Sequence, residues 1–322
     1  MRYYRLYPNA ERASILVTSL WVLTILLLLA LGLGRQMGVD LRLVKHAVRR
    51  AEARALARGE MALRSAEFVA GASEIPADQG LAGWPWKPEP ERYSRTEGPW
   101  SIETQVTDEQ SRLNLNWLSQ YHLSLLPHID SPAEVYSVAL WRGDQALQGD
   151  TDWQAALDEE NRSFEELGLS YKVKGRPFQS FRELALIPTL DPERAGDWAS
   201  LITVYGGTQV NLNTAPVEVL SLLLSQPDTL VDADSLARKI VDGREAWGLI
   251  EGVTELYEKG AGDFDLSVEE EIFLSNAEAL LGVGSTQVRL SSVVSDDQGR
   301  IWAELVAVID RRDGTTLMWE ER

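Results

Sequence analysis

The sequence predicts an α+β fold in which a long N-terminal helix accompanies an antiparallel sheet, with a large, mainly helical insertion between the first strand and the closing ones. Three observations predict it. No proline occurs between Pro8 and Pro76, and the segment between them is first wholly apolar and then patterned as one helix. Trp100-Ser-Ile-Glu-Thr-Gln-Val106 alternates as a strand does, with Ile102, Thr104 and Val106 on one face. After a helical block, the chain ends in two more alternating runs, Thr286–Ser295 and Arg300–Arg311, around Asp296-Asp-Gln-Gly299. Strands on both sides of a helical block make that block an insertion into one sheet domain.

The helix comes first. From Ala13 to Gly34 there are 22 residues without a charge, enough to cross the roughly 30 Å apolar core of a bilayer. Arg2, Arg5 and Arg12 precede this run against Glu11 alone, which favours a cytoplasmic N-terminus, although Arg35, Arg42, Lys45, Arg49 and Arg50 come after it. Such a run is a plain signal anchor, a cleaved secretory signal, or the core helix of a filament subunit. The residues C-terminal to it favour the last. Met37, Leu41, Val44, Val48, Ala51 and Ala55 are spaced 4, 3, 4, 3, 4, and the pattern resumes at Ala62, Ala66 and Val69. One helix is therefore expected from about Ser14 to about Ala70, roughly 85 Å long. Its first half would pack in a shared helical core and its stripe would dock on the subunit's own sheet.

Composition bounds the rest. A chain of 322 residues predicts two compact units. The absence of cysteine excludes disulfides, thiolate metal sites and cysteine nucleophiles. The net charge of −18 is divided: residues 1–70 hold 11 Lys/Arg against 5 Asp/Glu, and residues 71–322 hold 20 against 44. A body this acidic repels phosphate backbones and anionic lipid heads, so it reads as a partner-binding surface and not a nucleic-acid reader.

Gly71–Trp100, rich in Gly, Pro and Trp (Trp84 and Trp86 among them), reads as a connecting segment. Residues 117–195 read as helices joined by long loops. Leu201–Tyr205 and Gln209–Asn213 read as extended stretches around the Gly206-Gly207 turn. Thr214 is the expected N-cap of a helix through Leu224, with Pro216 in its first turn. Asp234–Ala246 and Val253–Lys259 are further helices, and Met318-Trp-Glu320 an added edge strand. Asn114-Leu-Asn116 recurs as Asn211-Leu-Asn213, each before a helical block, which hints at two related helical units.

In this order the chain resembles the minor pseudopilin K of type II secretion systems (general secretion pathway protein K). The resemblance rests on Arg12-Ala-Ser-Ile-Leu-Val17 before the apolar helix and on Val106-Thr-Asp-Glu-Gln-Ser-Arg-Leu-Asn-Leu-Asn116. It rests further on Gly175-Arg-Pro-Phe-Gln-Ser-Phe-Arg-Glu-Leu184, and on Leu201–Tyr205 with Val210-Asn-Leu-Asn-Thr-Ala-Pro-Val-Glu-Val-Leu220 after it. It implies a pilin-like antiparallel sheet interrupted by two sterile-alpha-motif-like units. The implied boundaries are a leader, 1–13; the long helix, 14–70, with 14–34 transmembrane; the first part of the sheet, 71–107; helical unit one, 108–207; a helix-hairpin-helix-like unit two, 208–282; and closing strands, 283–322. The implied role is non-enzymatic: a subunit at the pseudopilus tip, anchored once in a bacterial inner membrane with its globular part in the periplasm, in a machine that exports folded proteins. The implied partners are minor pseudopilins I and J, the major pseudopilin, prepilin peptidase and the inner-membrane assembly platform, with methylation an expected modification.

The processing site departs from the family pattern. Prepilin peptidase cuts after glycine, and the matching position here is Ala13, which would leave Ser14 as the first mature residue. Most pseudopilins carry a glutamate five residues into the mature chain, where it pairs with a neighbour's terminal amine; here the residue is Thr18, as the K-type pattern implies. A subunit without that carboxylate suits an end position.

Other chemistry competes with plainer readings. Asn211–Leu256 also looks like a helix-hairpin-helix unit of a membrane-anchored, competence-type DNA-binding protein, with Arg238, Lys239 and Arg244 as its basic residues. The Gly-x-Gly hairpin that would meet phosphate is missing, and residues 208–262 hold 9 acids against 4 Lys/Arg. Calcium is a candidate at Asp144, Asp150 and Asp152 and at Asp263 and Asp265; family members bind it, and solvated acidic loops are the competing reading. The second loop has Val268 where an EF-hand needs glycine and Leu274 where it needs glutamate. His122 and His128, six apart around Pro127, are poorly spaced as metal ligands, and no nucleophile-elbow sequence is present.

Overall fold

Helix α1 runs unbroken from Asn9 to Glu74 in the computed structural model, which describes residues 9–74, 91–144, 153–191, 193, 196–227, 229–258 and 264–322. Its length stems from the lack of an interior proline and a composition dominated by strong helix formers, Ala, Leu and Arg. It extends about one turn beyond each expected end. Trp84 and Trp86 lie outside the described residues.

The chain divides into two units, 1–55 and 56–322. In the first, the described residues are all helical, and 17–50 are exposed throughout, Met37, Leu41, Val44 and Val48 included. In the second, residues 56–74 of α1 lie on the sheet, but not by the face the spacing suggested. Of the expected stripe, Ala62 and Ala66 are exposed and Val69 is half-buried; Ala57, Glu60, Met61 and Phe68 are buried. The sequence stripe was carried by alanines, which remove little area from water. Met61 and Phe68, seven residues apart, each bury several times more and set the docked face. Arg64 leaves that face over the ring of Tyr93, 3.9 Å from its centroid, and Arg58 Nε donates to Glu321 at 2.7 Å.

The remaining elements come in order: β1 (Glu91–Glu97), β2 (Trp100–Asp108), β3 (Leu113–Asn114), α2 (Gln120–Ser124), α3 (Pro132–Arg142) and α4 (Trp153–Glu166). Next come β4 (Ile202–Thr203), β5 (Val210–Asn211), α5 (Val217–Leu224), α6 (Ala233–Trp247), α7 (Val253–Glu258) and α8 (Val268–Ala277). The chain closes with β6 (Leu281–Gly282), β7 (Gln287–Asp296), β8 (Ile301–Asp310) and β9 (Thr316–Glu321). The main sheet has the order β1-β2-β7-β8-β9, antiparallel throughout. Strands β2 and β7 are adjacent although some 180 residues separate them, so residues 109–286 are an insertion between two hydrogen-bonded strands.

Alternation explains the sheet's inner face. Ile102, Thr104 and Val106 stand opposite Val294, Ser292 and Leu290, and those opposite Ala303, Leu305 and Ala307; all are buried. The two buried hydroxyls satisfy each other, Thr104 Oγ1 donating to Ser292 Oγ at 3.1 Å. Trp100 closes one end of this face edge-on against Trp302, with centroids 6.0 Å apart. The insertion has an apolar core of its own that runs from Leu113 to Leu281 through all of its helices' buried faces.

Three local expectations are corrected, and one helix that the sequence reading did not assign is found. Residues 91–97, assigned by sequence to the connecting segment, form β1; its polar composition hid it, because as an edge strand it has no fully buried residue and tolerates charge. The stretches 202–203 and 210–211 are extended but do not pair with each other: β4 pairs parallel with β3, and β5 pairs parallel with β6. Thr214 does not cap α5, whose N-cap is Pro216 without a side-chain bond; its hydroxyl is used elsewhere. Helix α8 occupies the stretch that would continue a calcium loop from Asp263 and Asp265, and Ser267 with Glu270 forms a reciprocal capping box at its start. Ser267→Ala is expected to lower stability by about 1 kcal/mol in thermal unfolding.

Candidate functional site

Three consecutive residues at the end of β2 hold the insertion to the sheet. Asp108 is buried, and donors converge on its carboxylate: Gln110 N at 2.8 Å on Oδ1, and Asn211 Nδ2 at 2.7 Å and Thr214 Oγ1 at 2.6 Å on Oδ2. Burial pushes this carboxyl above its ordinary range, while bonds from Ser285, Thr214 and Asn211 pull it down by less. Glu109 has no solvent exposure. It accepts from Thr203 Oγ1 at 2.5 Å and, in a bidentate pair, from Arg289 Nε at 2.8 Å and Nη2 at 2.9 Å. Burial pushes the Glu109 carboxyl up, but Arg289, Arg112 and Thr203 outweigh it and hold the group below its ordinary value. Gln110 Oε1 accepts from Thr286 N at 2.6 Å.

These bonds reach β4 at Thr203, β5 at Asn211, Thr214 just after it, and the return into β7 at Thr286 and Arg289. The point where the chain leaves the sheet is thus tied to the points where the second helical block begins and where the chain comes back. Nearby Arg311 is fully buried; burial pushes its guanidinium down to about 10, with Asp108 opposing.

Beyond this joint the insertion repeats one bonding scheme. Asn116 Nδ2 donates to Phe178 O at 3.0 Å and Val204 O at 3.2 Å, and its Oδ1 accepts from Phe178 N at 2.7 Å. Asn213 does the same with Ile250 O at 2.9 Å, Val283 O at 3.0 Å and Ile250 N at 2.8 Å. The main-chain nitrogens of both are held by the asparagine two residues earlier, Asn114 or Asn211. Arg142 at the end of α3 donates to the carbonyls of Leu115 and Leu118; Arg244 on α6 donates to those of Leu212 and Ala215. The two Asn-Leu-Asn motifs therefore make equivalent hydrogen bonds in the two helical blocks. They differ where it matters for the joint. Asn114 Nδ2 donates to the carbonyls of Tyr205 and Gly206, whereas Asn211 Nδ2 donates to Asp108. Glu183 and Glu255 mark the same correspondence, each accepting from the main chain four residues back, at Gln179 and Glu251.

Of the basic residues of the DNA-binding reading, Arg244 is spent inside this scheme and Arg238 and Lys239 on neighbouring carboxylates. Arg244 is buried on main-chain carbonyls, Lys239 Nζ is 2.9 Å from Glu270, and Arg238 is 2.9 Å from Asp234 on the preceding turn. Each of the three is already paired, so none offers an uncompensated charge to a phosphate backbone. His122 and His128 make separate contacts: His122 lies between Ser119 Oγ and Leu223 O, with burial pushing its pKa down, and His128 faces Asp197 at 3.0 Å.

Of the calcium candidates, Asp144 accepts from Arg142 at 2.6 Å, and Asp265 stands exposed with a positive φ of 51°. Asp150, Asp152 and Asp263 lie outside the described residues. Among the described residues no three such ligands cluster. An aspartate neutralised by an arginine is a poor fit for a site that needs uncompensated oxygen charge. Ala13, Ser14 and Thr18 lie within α1, Thr18 at the exposed start of the apolar run. That helix is long and apolar enough to cross a membrane, with a mean hydropathy of 2.3 over its most apolar window.

No known family's sequence model matches the chain, and no curated protein matches it. Among solved structures it is similar to one in the GspK-GspI-GspJ complex of the type 2 secretion system of enterotoxigenic Escherichia coli, with a TM-score of 0.58 and 16% identity. The match covers 85% of this chain and 99% of that one. A long N-terminal helix, an antiparallel five-stranded sheet and a helical insertion between its strands give this chain a GspK-like α+β fold.

Proposed function

We propose that the chain is a non-enzymatic minor pseudopilin that acts at the tip of a type II secretion pseudopilus and takes part in its assembly and in export of folded proteins. The observation that carries this reading is the fold likeness across 99% of a chain from the GspK-GspI-GspJ complex. The apolar run of α1 anchors the subunit once in the inner membrane, and the globular part works in the periplasm beside I- and J-type minor pseudopilins. Prepilin peptidase acts between Ala13 and Ser14, an extra methyl group making cleavage slower than after glycine. Thr18 in place of glutamate leaves no carboxylate for a neighbour's amine, which suits an end position. The acidic loops around Asp150 and Asp263 are read as solvated; a rise in melting temperature when calcium is added to chelator-treated protein would reassign them.

Deleting the chain from a secreting cell is expected to trap folded exoproteins in the periplasm, with rescue by the wild-type chain. Normal secretion in the deletion strain would refute the reading. Leu27→Arg, at the middle of the exposed apolar run, is expected to weaken membrane insertion by about 3 kcal/mol or more and move part of the protein to the soluble fraction.

A further inference from the structure

The stretch of α1 just past the apolar run has a cationic face that membrane anchoring does not use. Residues 35–50 hold five Lys/Arg against Asp40 alone, while residues 71–322 carry a large negative net charge. Arg35, Arg42, Lys45 and Arg50 are all exposed. At about 100° per residue they fall within an arc of about 140°, turned away from the Met37, Leu41, Val44 and Val48 stripe. Arg42 and Lys45 are three residues apart on that arc, so the helix carries like charges side by side, which disfavours it until counter-charges arrive.

Lipid headgroups meet only the start of this face. At about 1.5 Å per residue in an unbroken helix, Lys45 stands about 16 Å and Arg50 about 24 Å beyond Gly34. Both are past a headgroup layer of about 6 Å and past the screening length of about 8 Å. A helix that continues straight out of the bilayer cannot lay these cations on its surface; beyond it only dissolved ions or an acidic protein surface meet them, and of the two only the protein surface is fixed in place.

We propose that the Arg35–Arg50 face of α1 docks a carboxylate-rich surface of a neighbouring pseudopilin subunit, separately from whatever covers the apolar stripe. The proposal rests on the minor-pseudopilin reading. It adds an electrostatic contact on the membrane-proximal rod that fixes which subunit lies beside it, because like charges there repel a wrong neighbour.

The test uses the full chain in uncharged detergent with full-length I- and J-type subunits. The triple variant R42E/K45E/R50E is expected to retain about tenfold less of one of them at 0.1 M salt, with the difference gone at 1 M salt. The variant R42K/R50K, which keeps the charge, is expected to retain them as the wild type does. Equal recovery by wild type and triple variant overturns the proposal. So does a loss seen only when phosphatidylglycerol is added, which assigns the face to lipid, or a loss of self-association alone, which assigns it to a second copy. A wild-type chain that retains neither subunit overturns the functional reading and this one with it.

Discussion

Glu109→Ala is expected to destabilise the second unit by about 3 kcal/mol in urea unfolding of the full chain in detergent micelles. The carboxylate is fully buried and holds two parts of the fold at once, the Thr203 hydroxyl of β4 and the Arg289 guanidinium of β7. Removing it strands a partly buried cation and a buried hydroxyl. Breaking one side of a buried pair costs about 3–5 kcal/mol; the lower end applies because 27% of the Arg289 side chain keeps water contact. Removing Arg289 as well, in E109A/R289A, is expected to recover part of the loss, since the stranded charge goes with it. The pH dependence has a defined sign. Glu109 is held below its ordinary value in the fold, so its contribution is complete above the unfolded carboxylate range and is lost as the pH falls through the lowered folded value. Glu109→Gln removes that acid-dependent loss. Asp108, pushed upward, works in the other sense: protonating it on acidification relieves a burial cost, so Asp108→Asn is expected to flatten the profile in the opposite direction. An unchanged acid limb in Glu109→Gln would show that the joint does not carry the charge described.

Asn213→Ala is expected to cost about 3 kcal/mol as well, confined at first to the second helical unit. The amide is buried and satisfies three main-chain groups, Ile250 N, Ile250 O and Val283 O. Each group left without a partner costs about 1–3 kcal/mol, and a cavity the size of an alanine-truncated side chain admits water to few of them. Asn116→Ala removes the corresponding bonds to Phe178 and Val204 in the first unit. Hydrogen exchange read residue by residue should therefore show loss of protection around 250 and 283 in one variant and around 178 and 204 in the other. Protection lost across both units in either variant would mean that the two schemes are not separate supports.

Much of this fold was legible in the sequence because its signals are long. The helix announced itself by the proline-free run from Pro8 to Pro76, and the sheet's inner face by strict alternation in residues 100–106 and 286–311. The insertion was legible as a helical block between strands. Which side of α1 faces the sheet was not, because alanines at helical spacing look like a face but bury too little to choose one; Met61 and Phe68 choose it. The partners of 202–203 and 210–211 were not legible either. A two-residue strand pairs wherever tertiary structure places a mate, and here the mates, Leu113 and Leu281, lie some 70 to 90 residues away. The repeated Asn-Leu-Asn motif was visible as a repeat, but its work was not: in the fold one copy spends Asn114 on its own block and the other spends Asn211 on Asp108. Asp108-Glu-Gln110 lay within the residues that carried the family resemblance, and burial at the strand's end is the feature that turns them into a joint. A capping signature, Ser267 with Glu270, could have identified α8 from sequence.

The most direct test of the account is the mass of the particle that the full chain forms in detergent with full-length I- and J-type minor pseudopilins, measured by light scattering. A stable particle with one copy of each subunit is the predicted result. A chain that elutes alone while the I- and J-type subunits pair without it would contradict the account.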